Sequence, residues 1–290
     1  MMSTAIVWFR RDLRLADQPA LRKAIDEHDR VVPVFIWAPE EESPWAPGAA
    51  SRVWLHHSLA ALGARLARLG SPLVLRGGPS LAALRQLARD GDARAIYWNR
   101  LYEPALQRRD ATIQAALRAE GLAAQSFASA LLIEPSRLQT RAGRPYRVFT
   151  PFWRAARPQL DALGPPHPAP RRIPGPAQPL ASLCLAELAL RPALPWAARL
   201  LDTWTPGEAG AHAQFDHFLE AGLGRYRELR DLPAREGTSR LSAHLHFGEV
   251  SPRLALARIR SRLAGRLQPG LAHHAEHYLR QLVWREFAHH

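Results

Sequence analysis

The chain is poor in the residues that build disulfides and cysteine-rich metal sites. Cys184 is the only cysteine in 290 residues, which excludes an internal disulfide and a site with several cysteine ligands. No apolar run approaches the roughly 18 residues of a spanning helix, and the first residues carry no secretory signal pattern. These absences predict a cytoplasmic protein without a membrane segment, and a hydrophobic fraction of 47% is enough for ordinary apolar cores.

Lysine and acidic side chains are also scarce beside arginine. Lys23 is the only lysine among 39 basic residues, whereas aspartate and glutamate together number 26, so the formal net charge is +13. Such an excess of cations fits a protein that binds a polyanion such as nucleic acid. A GC-rich genome would also favour arginine over lysine, but it would not by itself create the excess of positive charge.

The first half of the chain alternates short apolar runs with longer helical patterns. The runs are rich in Val, Ile, Phe and Trp and cover residues 4–9, 31–37, 73–76, 94–98 and 122–127. Helical spacing of apolar residues fills the intervals 51–69, 79–89 and 104–119. This alternation predicts an α/β domain, a doubly wound five-stranded parallel sheet of the Rossmann-like kind. Ligands of such sheets bind beyond the carboxyl ends of the strands, which are here the loops 10–18, 38–50 and 99–104.

The composition changes after the sheet pattern ends. Residues 158–195 contain ten of the 25 prolines, and this density blocks helix, so we predict an ordered crossover or, alternatively, a disordered linker. After residue 200 the pattern is helical over 206–221, 251–264 and 271–290. The predicted divisions are a sheet domain at 1–133, a connector at 134–200 and an all-α part at 201–290.

Two segments of the helical part carry side chains suited to a nucleotide-like ligand. Gly237-Thr238-Ser239-Arg240-Leu241-Ser242 places three hydroxyl groups and an arginine beside a glycine, which presents donors and a cation to a diphosphate. Trp284-Arg285-Glu286-Phe287 puts an aromatic plane and a cation on one helix, as an unstacked base requires. Taken alone, the first segment could be a helix cap, and Trp284 could be a core tryptophan.

Together with the opening segment Val7-Trp8-Phe9-Arg10-Arg11-Asp12-Leu13-Arg14-Leu15-Ala16-Asp17, these motifs resemble the cryptochrome/DNA photolyase family. The resemblance implies an antenna domain built on the sheet and an all-α FAD-binding domain after it. It implies light-driven repair of cyclobutane pyrimidine dimers in UV-damaged DNA, a carbon–carbon lyase reaction in which reduced flavin passes an electron to a flipped dimer. A cryptochrome-type blue-light receptor and a photolyase for the (6-4) lesion are the alternatives.

The resemblance also assigns site residues by their place in these motifs. It implies flavin contacts from Tyr226, Thr238, Ser239, Arg240, Leu241, Ser242, Tyr278, Gln281 and Arg285. It implies DNA contacts from Arg230, Trp284 and Arg285, with Gln281 and Trp284 facing the lesion. Tyr278 stands where the family usually has tryptophan, and Gln281 stands where dimer photolyases commonly have glutamate. Glutamine cannot donate a proton as a carboxylic acid does, so the type of lesion stays open.

A light-harvesting chromophore in the sheet domain is a further implication of the resemblance. Ala105 and Leu106 stand where one common folate pattern has an Asn-Glu pair, so that mode of binding is not expected. The segment Glu40-Glu41-Glu42-Ser43-Pro44-Trp45 is instead similar to a branch close to plant cryptochromes. There a pterin would stack on Trp45 beside the carboxylate of Glu41. Methenyltetrahydrofolate or a deazaflavin is the expected chromophore, and a solvated loop is the alternative.

The last helix carries an expectation about the whole chain. In the family, the helix matching 271–290 lies in the middle of the flavin domain, so the chain is expected to be a photolyase truncated there and inactive alone. Leu282, Trp284 and Phe287 would then face water, while the first domain would survive as a folded unit. The resemblance further implies a monomer that acts at the bacterial nucleoid. The histidines at 244–246 and 273–277 lack partners at ligand spacing, so no metal is expected.

Overall fold

The computed structural model describes residues 2–193, 195–265 and 269–290, and its first half is a five-stranded parallel sheet. The strands are β1 (Thr4–Phe9), β2 (Arg30–Trp37), β3 (Val74–Gly77), β4 (Ala93–Asn99) and β5 (Ala123–Phe127). They lie in the order β3-β2-β1-β4-β5, and every adjacent pair runs parallel. In register, Val7 of β1 lies between Pro33 of β2 and Tyr97 of β4. The predicted doubly wound sheet is therefore confirmed.

Both faces of the sheet are covered by helices. These are α1 (Pro19–Glu27), α2 (Ala49–Leu69), α3 (Ser80–Asp90) and α4 (Pro104–Ala119). Successive residues of a strand alternate between the two faces, so Val7 and Phe9 pack with α1 and α2, whereas Ile6 and Trp8 pack with α3 and α4. Burial on both faces explains why β1 is apolar at every position after Thr4.

The rest of the described chain is helical or irregular. The remaining helices are α5 (Phe149–Asp161), α6 (Trp196–Arg199), α7 (Glu208–His217), α8 (Tyr226–Leu229), α9 (Ser242–His246), α10 (Pro252–Ala264) and α11 (Leu271–Ala288). Helix α7 continues into a π-helical turn, Phe218–Gly222. The predicted helices over 206–221, 251–264 and 271–290 are confirmed, with ends shifted by a few residues. Within the described ranges, none of the helices is both long and apolar enough to cross a membrane.

Helix α5 is absent from the sequence-based prediction, which has a connector over this part of the chain. The helix forms because apolar residues recur at helical spacing and are buried together. These residues are Phe149, Phe152, Trp153, Ala156 and Leu160. Pro158 lies inside the helix near its end, so proline there does not prevent helix formation upstream. Helix α5 packs on α11 and contributes to the apolar core of the helical part.

The proline-rich segment after α5 lies along the sheet. The backbone N–H of Ile173 donates to the carbonyl oxygen of Leu69 at 2.8 Å, and that of Leu183 donates to Leu75 at 3.0 Å. Ile173 and Leu188 are buried in the core that α1 and α2 form with the sheet. The segment is therefore an ordered crossover that completes this core.

Helix α11 packs against other helices of the chain. Leu282 is 4% exposed, because α5, α8 and α10 lie against the helix. Phe287 is half-buried and meets the rings of Phe149 and Phe152. The expectation that Leu282 and Phe287 face water is therefore wrong. Trp284, at 44% exposure, is the member of that set that stays open to solvent.

Candidate functional site

A cavity of about 450 Å³, cavity A, opens between the sheet and the helical part. The loop after β1, the loop after β4 and the helices α8, α9 and α11 supply its walls. Of the nine residues predicted to contact flavin, eight line this cavity: Tyr226, Thr238, Ser239, Leu241, Ser242, Tyr278, Gln281 and Arg285. The fold thus brings together side chains that are up to 59 positions apart in the sequence.

Arg240, the ninth residue, is not part of the cavity lining. Its guanidinium lies 4.3 Å from the centroid of the Trp204 ring, which is the geometry of a cation–π contact. The backbone of Arg240 is left-handed, with φ of 53°, so its side chain leaves the segment in a different direction from its neighbours. Ser239 and Leu241, on either side, are buried at the cavity wall.

Gly237 allows the hydroxyl-bearing segment to approach α8. A Cβ at position 237 would lie 2.4 Å from the Cβ of Leu229 and 2.6 Å from its carbonyl carbon, far inside van der Waals contact. Ser239 follows, and its Oγ accepts a hydrogen bond from the backbone N–H of Leu241 at 3.4 Å. The glycine therefore lets this segment lie against the helix that carries Tyr226.

The inner wall of cavity A is aromatic. Tyr226 and Tyr278 meet edge to face with ring centroids 5.2 Å apart, and Phe218 lies 4.7 Å from Tyr278. Burial raises the pKa of both tyrosines above the ordinary value. Both phenols therefore stay protonated at neutral pH, and this wall presents neutral rings and hydroxyl groups.

Arg285 is held at the edge of cavity A by two neighbours. Its Nη1 donates to the carbonyl oxygen of Ala130 at 2.7 Å and lies 3.4 Å from a carboxylate oxygen of Glu286. Glu286 accepts backbone hydrogen bonds from Leu132 at 2.6 Å and Ile133 at 3.2 Å. Burial raises the pKa of Glu286 to about 7. The two residues anchor α11 to the segment that follows β5.

A second cavity, cavity B, of about 190 Å³ lies near the carboxyl ends of β1 and β2. Trp45 lines it and is 84% exposed. Glu41 does not line it, because its carboxylate accepts hydrogen bonds from the Ser80 backbone N–H at 2.7 Å and the Ser80 hydroxyl at 2.5 Å, at the start of α3. Glu42 lines cavity B instead. The carboxylate that accompanies Trp45 in this cavity is thus one residue away from the predicted Glu41.

The two cavities share a wall that the sequence-based prediction does not contain. Arg11, Leu101 and His246 line both of them. Arg11 forms ion pairs with Glu42, which lines cavity B, and with Glu103, which lines cavity A. Burial lowers the pKa of His246, and the nearby Arg11 guanidinium lowers it further. The rule that ligands bind beyond strand ends points to the loops of Arg11 and Glu103, but only the fold shows which side chains meet.

Cavity A has further polar lining residues outside the recognised motifs. Tyr102 follows β4, and His289 follows α11. Burial raises the pKa of Tyr102 and lowers that of His289. No sequence signal singles out either residue, because each comes from a segment without a motif of its own.

Arg230 and Trp284, the residues predicted to contact DNA together with Arg285, lie outside the lining of cavity A. The Arg230 guanidinium is 5.6 Å from the ring centroid of Tyr226 and 3.2 Å from a carboxylate oxygen of Asp231. Trp284 stacks on Phe149, with centroids 3.9 Å apart and ring planes 8° apart.

Among the described residues, no group of three or more His, Cys, Asp or Glu side chains has the arrangement of a metal site.

A doubly wound parallel sheet is joined to a helical part, and a cavity with polar and aromatic walls lies where the two meet. The fold class is therefore an α/β unit followed by an all-α part. The family model described as DNA photolyase matches residues 5–174, which is more than half of the chain. The chain belongs to the DNA photolyase family.

Relatives from two branches are similar over most of the chain. A deoxyribodipyrimidine photo-lyase of Agrobacterium fabrum is 41% identical over 286 residues, covering 98% of this chain and 58% of that protein. Cryptochrome-1 of Arabidopsis thaliana is 38% identical over 256 residues, covering 86% of this chain and 37% of that protein. The crystal structure of a bacterial class III photolyase from Agrobacterium tumefaciens matches with a TM-score of 0.91 and 39% identity, covering 100% of this chain and 58% of that chain. The chain thus spans less than two thirds of the length of these relatives.

Proposed function

We propose that the intact protein is a light-driven, FAD-dependent photolyase that repairs cyclobutane pyrimidine dimers in DNA. The name of the 41% identical relative, deoxyribodipyrimidine photo-lyase, supports this reaction class. The observation that carries the proposal is the meeting of eight motif residues in cavity A. The proposal concerns the intact protein, because the chain spans 58% of that relative.

The walls of cavity A fit a flavin dinucleotide in their chemistry. Thr238, Ser239 and Ser242 offer hydroxyl groups, and Arg285 offers a cation for a diphosphate. The neutral rings of Tyr226 and Tyr278 suit a flat heterocycle. Reduced flavin supplies the light-excited electron that splits the dimer, while these residues would bind the cofactor, orient it and exclude water.

We assign the recognition of DNA to Arg230, Arg285 and Trp284. The net charge of +13 attracts a polyanion, and the exposed indole of Trp284 offers a platform for an unstacked base. Gln281 lies three residues earlier on the same helix and lines cavity A. A base stacked on Trp284 would therefore lie beside the cavity, within reach of an amide that can hydrogen-bond its carbonyl oxygens.

Repair of UV-irradiated duplex DNA in light and in darkness tests the enzymatic part of the proposal. The protein, loaded with FAD and reduced, should restore intact pyrimidines under blue light and leave the dimers unchanged in the dark. Failure to repair in the light, with reduced flavin demonstrably bound, would rule out the photolyase assignment.

Two neighbouring substitutions test the assignment of cavity A. Ser239→Ala removes one hydroxyl from the cavity wall and should weaken FAD binding by about 1 kcal/mol, roughly fivefold. Arg240→Ala alters the adjacent residue, whose side chain stacks on Trp204 outside the cavity, and should leave the affinity within about twofold. Fluorescence titration of FAD measures both. A larger loss from Arg240→Ala than from Ser239→Ala would contradict the proposed orientation of the segment.

Arg230 and Trp284 should differ in what they contribute to DNA binding. Arg230→Ala should weaken binding to damaged and undamaged duplexes alike. It should also reduce the slope of log K against log salt concentration by about the contribution of one phosphate contact. Trp284→Ala should mainly reduce the preference for damaged DNA, by about 1–3 kcal/mol for the lost stack. Salt-dependent binding to matched duplexes measures both effects. If Trp284→Ala lost equal affinity for both duplexes, the proposed stacking role of Trp284 would be wrong.

A cryptochrome-type blue-light receptor is the second candidate function. The 38% identity to Cryptochrome-1 supports it, as does Gln281 at the position where dimer photolyases commonly have glutamate. Because of Gln281, the (6-4) lesion also stays an alternative substrate. Separate repair assays on duplexes with a cyclobutane dimer or a (6-4) lesion distinguish the three outcomes, because a receptor would bind flavin and repair neither.

We further propose that cavity B holds an antenna chromophore, either a pterin such as methenyltetrahydrofolate or a deazaflavin. Trp45 would supply a stacking surface, and Glu42, one of whose carboxylate oxygens pairs with Arg11, would accept hydrogen bonds from the heterocycle through the other oxygen. Glu42→Gln should weaken chromophore binding, whereas Glu41→Gln changes a carboxylate that is occupied at the start of α3 and should weaken it less. Equilibrium dialysis with methenyltetrahydrofolate compares the two variants.

We also propose that the intact protein is a cytoplasmic monomer that acts on chromosomal DNA. The bacterial origin of the 41% identical relative and the positive net charge support this location and partner. Light scattering of the purified protein tests the monomeric state, and fractionation of cells tests the location.

A further inference from the structure

We propose that Phe149 is a positioning residue for Trp284, and that its ring fixes the plane on which a damaged base stacks. The assignment rests on the proposed function, in which Trp284 contacts the lesion. Phe149 does not touch the base in this arrangement. It acts through the tryptophan, by holding the indole in one orientation before DNA arrives.

The two rings form a close parallel stack between two helices. Their centroids are 3.9 Å apart and their planes differ by 8°. Phe149 begins α5 and is 6% exposed, whereas Trp284 lies on α11 and is 44% exposed. One face of the indole is therefore covered by protein while much of the remaining ring is open to solvent. A stacking platform needs this combination of a fixed back and a free front.

Phe149 is itself held from several sides. Phe287 meets it edge to face at 5.8 Å and 72°, and Trp153, one turn later on α5, lies at 6.4 Å and 22°. The Arg280 guanidinium is 5.6 Å from the Phe149 centroid and 5.4 Å from that of Trp153. A buried ring with these neighbours is less free to move than an exposed tryptophan. Phe149 therefore sets the plane, and Trp284 follows it.

The arrangement has a consequence for selective binding. An exposed side chain that becomes ordered on binding loses rotamer freedom, and this loss weakens the complex. The stack on Phe149 removes that loss because the indole is already ordered. Without the aromatic ring, the preference for damaged over undamaged DNA should fall about 3–10-fold. Affinity for undamaged DNA depends on phosphate contacts and should stay within about twofold.

Three variants of the intact protein distinguish a positioning role from a general packing role. Phe149→Leu removes the ring, and Phe149→Tyr keeps it. Phe152→Leu is the matched control, because Phe152 lies on the same helix, is 2% exposed and packs on Tyr146, Phe287 and Phe149 itself. Fluorine NMR of protein labelled with 5-fluorotryptophan reports on the indole without DNA, and Trp284→Phe assigns its resonance. Phe149→Leu should shift and narrow that resonance, while Phe149→Tyr should leave it nearly unchanged.

The second measurement is binding to duplexes with and without one cyclobutane dimer. We expect the preference to fall in Phe149→Leu and to be retained in Phe149→Tyr and Phe152→Leu. Full preference in Phe149→Leu, or an unmoved Trp284 resonance, would overturn the positioning role and leave the role of Trp284 intact. If the preference for damaged DNA fell equally in Phe152→Leu, Phe149 would contribute only to general packing, and the proposal would be wrong. If the unsubstituted intact protein shows no preference for damaged DNA, the proposed function is wrong and so is this assignment.

Discussion

The sheet region (residues 4–127) and the helical region (residues 149–161 and 208–288) each bury apolar cores, yet charged side chains join them. Both regions fill their interiors with aliphatic and aromatic residues. The junction contains Arg14, Glu208, Glu249 and Glu286, none of which is more than 5% exposed. Apolar packing tolerates shifted arrangements, whereas hydrogen bonds fix distance and direction. The contrast indicates that the cores supply stability and that the junction aligns the walls of cavity A.

Arg14 illustrates how the junction works. Its guanidinium donates to the carbonyl oxygen of Gly248 at 2.9 Å and to that of Ser129 at 3.2 Å. One side chain from the loop after β1 therefore binds the segment that follows β5 and the turn that follows α9. Because these contacts come from three distant parts of the sequence, a shift of either region would break several of them together.

Glu249 offers the strongest test of the idea that buried charged side chains hold the two regions together. Its carboxylate accepts hydrogen bonds from Trp54 Nε1 at 2.9 Å and from the Gly207 backbone N–H at 2.7 Å. Ser58 and His244 also donate to it. Glu249→Ala would leave three buried donors, those of Trp54, Gly207 and His244, without their acceptor, whereas the Ser58 hydroxyl can still donate to the carbonyl oxygen of Trp54. We therefore expect the free energy of unfolding to fall by about 3–5 kcal/mol.

Urea unfolding followed by circular dichroism measures this loss. The matched control is Glu228→Ala, which removes an exposed carboxylate 3.8 Å from Arg225 and should move the midpoint little. Similar losses in the two variants would show that the buried junction is no more important than a surface ion pair.

The sheet region is predictable from the sequence, because burial on both faces makes its strands continuous apolar runs. The predicted run 4–9 and the strand Thr4–Phe9 coincide for this reason. Helix α5 escapes prediction because the proline density of residues 158–195 dominates the composition just beyond it. The apolar spacing from Phe149 to Leu160 was nevertheless present in the sequence, and tertiary packing on α11 turns it into a helix.

The lining of cavity A is predictable where a motif supplies it and unpredictable where distant loops meet. Ser239 and Leu241 follow from their motif, but Arg240 between them turns to Trp204, because a left-handed backbone redirects one side chain. Glu42 lines cavity B where Glu41 was predicted, because the short helical turn Pro39–Glu42 sends the Glu41 carboxylate to the start of α3. Local motifs do not encode such directions.

The sheet region depends for part of its core on the proline-rich crossover, and we expect a smaller loss of stability here than for Glu249→Ala. Ile173 is fully buried in the core that α1 and α2 share, although it follows α5 in the chain. Ile173→Ala removes buried apolar volume and should cost about 2–4 kcal/mol of the free energy of unfolding. Thermal unfolding measures the loss, and limited proteolysis shows where the sheet region ends. A resistant sheet fragment of unchanged stability that lacks residues 173–190 would contradict the dependence.

Glu286 should make the junction sensitive to pH. Burial raises its pKa from the ordinary value of 4.5 to about 7, so the folded protein binds this proton more tightly than the unfolded chain does. A carboxyl group with a raised pKa contributes most stability below pH 4.5, and its contribution declines as the pH rises from 4.5 to about 7. The charged form is disfavoured by burial even though two backbone N–H groups donate to it.

Glu286→Gln removes the titration and keeps an amide oxygen that can accept from Leu132 and Ile133. We compare the free energy of unfolding of the variant with that of the unchanged protein. The difference, variant minus unchanged protein, should therefore rise by about 1–3 kcal/mol from pH 5 to pH 8. Urea unfolding at both pH values measures the difference between the two proteins, so that titrations common to both cancel. A difference that is constant with pH would show that Glu286 is ionised equally in the folded and unfolded chains. In that case the junction would tolerate a buried charge, and its directional hydrogen bonds would outweigh the desolvation of the carboxylate.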